Sequence, residues 1–262
     1  MPLTQTEFND AITAWFANPQ SKPQGAMSTW DTSNVSVMNG VFSNKTGGSH
    51  ATSDNFNEDI SGWNVSSVTN MTSMFNGAKA FNQNLSSWTL YDGNITVQSM
   101  FRGAEAFNNG QAVGGTTQRL QWNTGKITNM NFLFADTNSF TQDLNTNTEN
   151  DGFWNVSSVT SMSAMFYQSE IDTSTLDLSN WDVSHVTDMG EMFANLQGSA
   201  SLSVAGTSTL RNSLRYWNVD KVDVVTGSDW GGLNRMFGLV HPLAPTVADF
   251  TLKVDDATKF QA

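Results

Sequence analysis

There is no cysteine in the 262 residues, which excludes a disulfide framework, thiol catalysis and cysteine–zinc sites while leaving the compartment open. Cations are scarce: 12 Lys and Arg stand against 24 Asp and Glu, a formal charge of −12. They form no run, which argues against a basic patch for nucleic acid or anionic membrane, and no nucleic-acid partner is expected. The acidic residues are scattered too, the pattern of a soluble, self-repelling surface. No apolar run nears the ~20 residues of a membrane-spanning helix, so no membrane insertion is expected. Met1–Gln5 lacks the basic segment and apolar core of a signal peptide,. The expectation is either a mature form or export without such a leader.

Residues for chemistry are equally sparse. His50, His185 and His241 are the 3 histidines, and none has a second His at metal-ligand spacing,. Gly110–Gly115 lacks the Lys-Ser/Thr of a phosphate loop,. Glu58-Asp59, the acidic pair beside an apolar repeat segment, reads as a turn rather than an acid–base pair. No catalytic residue, metal or cofactor is expected, and no enzymatic activity.

What the chain has in abundance is a repeat. Trp63–Phe75 reads WNVSSVTNMTSMF, Trp154–Phe166 reads WNVSSVTSMSAMF and Trp181–Phe193 reads WDVSHVTDMGEMF. Trp122–Phe134 and the weaker Trp30–Phe42 keep the same Trp-to-Phe step of 12, while Trp88–Phe101 has one extra residue and Trp217–Phe237 eight. Seven of the 9 tryptophans therefore hold one repeat position; Trp15 and Trp230 do not. Such self-similarity means stacked units sharing one core. A hydrophobic fraction of 38% suits this, because each unit contributes a few inward residues and exposes the rest.

Within a unit, Trp63, Val65, Val68, Met71, Met74 and Phe75 are the apolar positions. Trp-x-Val alternates as an extended segment does; Met71, Met74 and Phe75 have the i, i+3, i+4 spacing of a helical turn. Thr69, Thr128, Thr160 and Thr187, with Ser36, stand where they would cap that helix. A second apolar segment, Ala78, Phe81 and Leu85, precedes the next Trp and predicts one short strand per unit. Phe81, Leu85, Trp63, Met74 and Phe75, with Trp154, Phe166, Trp181 and Phe193, form the predicted core. Asn or Asp follows the Trp in six units (Asp31, Asn64, Asn123, Asn155, Asp182 and Asn218). A ladder bonding adjacent units is the favoured role for this column; a column of metal-binding oxygens is the alternative.

Three regions follow. Residues 1–25 carry capping-box spacing at Thr4 and Glu7, then Phe8, Ile12, Trp15 and Phe16 on one helical face,. This predicts an amphipathic helix capping the open end of the array, with membrane or partner binding by that face as the alternative. Residues 26–240 are the repeats. Residues 241–262 form a C-terminal cap or docking segment.

Trp-to-Trp intervals run 33, 25, 34, 32, 27 and 36, so the shortest unit is 25. The surplus falls mostly at one phase, in Ser43–Asn55, Asn108–Arg119, Asn145–Gly152 and Leu196–Asn212. Inserts at one phase emerge along one edge, and loops on a rigid scaffold are common binding elements. Lys45, His50, Arg119 and Arg211 on that edge are the candidate partner-binding residues. The outward residues Asn82, Asn84, Ser86 and Ser87 are small and polar, unlike interface hot spots.

The phrase WNVSSVTNMTSMFNGAKAFNQNLSSW at 63–88, with its copies over about 26–240, resembles the BspA-like surface repeats of Listeria, mycoplasmas and oral bacteria. Comparable arrays are known from marine organisms and phages. The resemblance implies an α/β repeat: a leucine-rich-repeat-like right-handed solenoid of about seven coils, with one short parallel strand and one short helix per coil. It also implies a non-enzymatic adhesion or protein-binding module on an extracellular or particle surface. Its partners would be a protein or cell-surface ligand. The rival is a structural virion component, a phage decoration or fibre-associated protein contacting other virion proteins. A third reading is an ice- or glycan-binding surface on the Ser/Thr columns.

Overall fold

The computed structural model describes residues 1–19, 24–43, 53–115, 119–145, 154–171, 175–196, 209–214, 217–222 and 236. The predicted C-terminal cap, 241–262, lies outside them, as do Lys45 and His50.

Helix α1, Gln5–Ala17, opens the chain with a complete capping box: the Thr4 side chain accepts from the Glu7 backbone, and the Glu7 carboxylate accepts from the Thr4 backbone,. Its buried face, Phe8, Ala11, Ile12, Trp15 and Phe16, lies on the first repeats. Phe8 meets Trp30 and Trp63 edge-on at 6.3 and 5.5 Å, Trp15 meets Phe56 at 5.4 Å, and Phe16 lies 6.2 Å from Phe42.

Among the described residues the expected strand and helix per coil are absent, which overturns the leucine-rich-repeat-like α/β solenoid. Helical structure among the described residues is α1, a six-residue α2 at Thr209–Leu214, and 3-10 turns at Met27–Thr29 and Ser53–Asn55; no strand is present. Parallel pairing is reduced to isolated bridges, such as Val37 with Asn70 and Asn70 with Thr96.

The cause lies in the segment read as helical. The N–H groups of Met74, Asn76 and Ala78 close tight turns on Met71, Ser73 and Phe75. Those of Met71, Ser73, Phe75 and Gly77 leave the repeat and donate to Thr96, Gln98, Met100 and Arg102 of the next. Past its first turn a helix keeps its donors inside, and a strand closes no such turns. The alternation is enforced by two left-handed residues per repeat. Ser73, Ser99, Phe132, Ala164 and Glu191 stand two before the repeat Phe at φ 53 to 58°, with Gly40 at 62° in the first copy. Gly77, Gly103, Asp136, Gln168 and Asn195 stand two after it, also at positive φ. The i, i+3, i+4 spacing of the apolar residues serves a run of turns as well as it serves a helix.

The asparagine and threonine columns exchange their expected roles. Asn64 Oδ1 accepts from the backbone N–H and hydroxyl of Ser66 in its own turn. Asp31, Asn123, Asn155, Asp182 and Asn218 likewise accept from the backbone N–H of the residue two ahead, Asp31 from the Ser33 hydroxyl as well. This side-chain turn is the local bond that makes Asx residues corner formers. Two further corners are built alike, before Leu85 by Asn84 and before Met71 by Asn70. The threonines run between repeats instead: Thr187 donates both its N–H and its hydroxyl to the Thr160 carbonyl, and Thr160 does so to Thr128.

The core is a set of aromatic and methionine columns. Phe42, Phe75, Phe101, Phe134, Phe166 and Phe193 stack at 5.5 to 6.0 Å. A second ring pairs with the first inside four of these repeats: Phe56 on Phe42 at 3.6 Å, Phe81 on Phe75 at 3.9 Å, Phe107 on Phe101 at 4.0 Å, and Phe140 on Phe134 at 4.1 Å. Trp63, Met74, Phe75, Phe81, Leu85, Trp154, Phe166, Trp181 and Phe193 are all buried. Truncating such a ring to alanine costs roughly 3–5 kcal/mol.

Candidate functional site

The insert edge is built from a second asparagine series that the Trp-based register hides. Asn57, Asn82 and Asn108 follow the second Phe of their repeats. Asn57 Oδ1 accepts from the Asn82 N–H at 2.9 Å, Asn82 Oδ1 from Asn108 at 2.8 Å, and Asn108 Oδ1 from Thr141 at 3.0 Å. The inter-repeat ladder expected of the column after Trp therefore exists here. Its signal was the phrase Phe-Asn, repeated at 56–57, 81–82 and 107–108.

This ladder fixes the 108–115 part of the insert. Asn108 is fully buried; its amide donates to the Ala112 carbonyl and the Thr141 hydroxyl, each at 2.9 Å. Gln142, also buried, donates to the Asn108 carbonyl and accepts from the Leu120 N–H. Gly114, at φ +79° and with open space where a Cβ would be, donates its N–H to the Thr141 hydroxyl. Unpaired buried amides are costly, so a network with these bonds made holds its loop in place. From the preceding repeat, Ser86 donates its hydroxyl to the Arg119 carbonyl and Asn82 its amide to the Gln111 carbonyl. Two of the small polar residues read as outward, Asn82 and Ser86, thus anchor the insert.

The result is a cleft of about 440 Å³. Phe140, Ile171 and Leu176 form its apolar lining, and Gly114, Gly115 and Thr141 bring polar groups to its wall. At its edge Arg119 pairs with Asp143 at 3.1 Å, both half-exposed. Asp143 also accepts from the Asn145 N–H in a corner turn. Next to Leu176 in the chain, burial pushes the Asp177 carboxyl up, but bonds from Ser179 and the Ser213 hydroxyl outweigh it and leave its pKa lowered.

Of the four candidate residues, Arg119 reaches this cleft; Lys45 and His50 lie outside the described residues, and of Arg211 only its backbone place in α2 is described. Sequence reasoning missed Asp143, Asn108 and Gln142, none of which sits at a position repeated from every Trp. Among the described residues no group of His, Asp and Glu is arranged to hold a metal ion, and no helix is long and apolar enough to cross a membrane. His185 is exposed, its Nδ1 3.3 Å from the Ser184 hydroxyl. Asp59 accepts from Ser61 in a corner turn. An apolar floor with an ion pair at its mouth, on loops pinned to a rigid stack, is suited to holding a ligand.

A family model described as "Mycoplasma protein of unknown function, DUF285" matches residues 5–114 and again residues 115–205. No curated protein and no solved structure matches the chain.

Proposed function

Since the chain belongs to this DUF285 family of Mycoplasma-type repeat proteins, we propose that it is a non-enzymatic binding module displayed on the outside of a cell, attaching to a protein or cell-surface ligand through its insert edge. The observation that carries the proposal is the cleft between Phe140, Leu176 and the Arg119–Asp143 pair. The repeats supply rigidity by alternate bonding between and within units, so a loop anchored on them keeps its shape without a ligand. A pre-formed site loses little ordering entropy on binding. The hydroxyl columns suit a structural role better, since Thr160 and Thr187 direct their hydroxyls to carbonyls of the preceding repeat.

The test is attachment of the purified full chain to intact cells and to immobilised extracellular-matrix proteins in a plate assay. Saturable attachment that falls when Arg119→Ala and Leu176→Ala are introduced together supports the proposal. Attachment unaffected by that pair but abolished by Asn84→Ala or Ser87→Ala places the contact elsewhere. No saturable attachment to any cell or matrix surface removes the reading.

A further inference from the structure

We propose that the cleft takes the neutral, hydroxyl-rich end of a glycan; this rests on the reading of the chain as a binding module. The ground is the hydrogen-bonding capacity left at the cleft once the protein's own bonds are made. The Thr141 hydroxyl accepts from the Asn108 amide and from the Gly114 N–H. Both of its acceptor positions are taken, and its own proton has no partner among the described residues,. The Asp143 carboxylate accepts from the Asn145 N–H on one oxygen and from Arg119 on the other, which leaves further lone pairs open,. Arg119 reaches Asp143 through Nη1, and among the described residues its other guanidinium donors are unused. The pair is half-exposed and contributes little by itself, so a ligand can bond to both partners without first breaking a strong contact,.

A hydroxyl is the group that suits this edge. Through one oxygen it can donate to Asp143 and accept from Arg119, whereas an amide N–H only donates and a carbonyl only accepts. An aromatic or aliphatic knob does neither, and would dry these groups without returning their bonds. Charge points the same way: Arg119 and Asp143 are the charged residues of the lining, and they balance, so an ionic group finds no uncompensated partner,. Phe140, Ile171 and Leu176 offer an apolar floor to the C–H face of a sugar ring. The volume, about 440 Å³, falls within the roughly 300–1,000 Å³ of small-molecule sites,. The wall is set before a ligand arrives, because the buried Asn108 holds both the Thr141 N–H and the Gln142 amide through its Oδ1.

The experiment applies the labelled full chain to a printed array of neutral, sialylated and sulfated oligosaccharides. It also applies the chain to intact cells, untreated or treated with periodate, which cleaves vicinal diols, or with protease. Expected are binding to neutral oligosaccharides that salt does not weaken, and attachment to cells that periodate removes and the free oligosaccharide competes away. Thr175→Trp, which puts a large ring into the lining, is expected to abolish both. Asp143→Asn keeps a corner-forming side chain but removes the charged acceptor, and is expected to weaken both by about tenfold or more. Thermal melts check that the two variants are folded. Binding confined to the sialylated or sulfated oligosaccharides, binding to none, or undiminished binding by folded Thr175→Trp overturns the proposal. Attachment that survives periodate also overturns it and leaves the binding-module reading standing, with protease sensitivity marking a protein partner instead. If the chain attaches to no cell, that reading itself falls, whatever the array shows.

Discussion

The indole N–H of Trp122 donates to the carbonyl of Leu85, in the repeat before it, at 3.1 Å. Trp63, Trp88, Trp154, Trp181 and Trp217 make the same bond to Met27, Ile60, Leu120, Leu144 and Leu178. The repeat Trp is therefore both a core ring and the bolt joining neighbouring units. Trp15, on α1, is equally buried, yet its indole nitrogen has no partner. Trp→Phe at both places removes a similar ring edge but a hydrogen bond at only one. Trp122→Phe is expected to cost about 1–2 kcal/mol more than Trp15→Phe, because it orphans the Leu85 carbonyl. Urea unfolding of the two variants measures the difference; equal losses would show that the indole bond adds nothing.

Glu191 occupies the left-handed column at φ 58°. Residues other than glycine lose roughly 1–2 kcal/mol there, and β-branched ones more. Glu191→Gly is expected to raise stability modestly, part of the gain being offset by the freer unfolded chain, and Glu191→Val to lower it. The opposite ordering in thermal melts would mean that this turn does not hold its left-handed residue on folding.

The Trp-to-Phe phase was legible because large apolar residues at a fixed step admit few arrangements: Val68, Met71 and Phe75 are all fully buried. The backbone between them was not. Met71, Met74 and Phe75 have helical spacing, and nothing in Thr72 or Ser73 announces that Ser73 takes φ 56°. The exchange of roles between Asn64 and Thr69 has the same origin, since either side chain can bond its own turn or a neighbouring carbonyl. The cleft was half legible. The 108–119 insert and Arg119 could be located by counting from Trp, but Asp143 becomes Arg119's partner only through the Asn108–Thr141 contact between repeats.

Several corner turns carry aspartate where others carry asparagine, and the two respond differently to acid. Hydrogen bonds from the Ser61 hydroxyl and N–H hold the Asp59 carboxyl below its ordinary value, and Ser184 does so for Asp182. A folded pKa below the unfolded one contributes stability that is complete above the ordinary Asp value, about 3.9, and is lost as pH falls through the lowered folded value. Asn64, Asn84 and Asn155 show that asparagine makes the same corner. The double variant Asp59→Asn, Asp182→Asn is therefore expected to fold normally at neutral pH and to lose less stability than the natural chain on acidification. Denaturation midpoints followed from pH 7 downward test this; superimposable acid limbs would rule out the corner carboxylates as the cause.

The first repeat has no unit before it to pair with its exposed edge, and a side chain takes that place. Gln5, the first residue of α1, accepts with Oε1 from the N–H groups of Ser36 and Val37 at 3.1 and 3.0 Å. Its Nε2 donates to the Val37 carbonyl at 2.9 Å. One primary amide thus supplies the donor and acceptor that a preceding backbone would offer, at the phase where Asn70 pairs with Thr96 further along. Because these bonds are exposed, water replaces them at a net cost of only about 0.5–1.5 kcal/mol. The clearer consequence is local. Gln5→Leu preserves helix propensity and side-chain bulk but leaves the edge unpaired, so the Ser36 and Val37 amides are expected to exchange hydrogen faster while Met71 and Phe75, bonded into the next repeat, keep their protection. Gln5→Glu retains the acceptor and loses the donor, and should fall between the two. Hydrogen exchange read amide by amide decides the matter: unchanged protection at Val37 in Gln5→Leu would mean that α1 closes the stack through Phe8 and Trp15 alone.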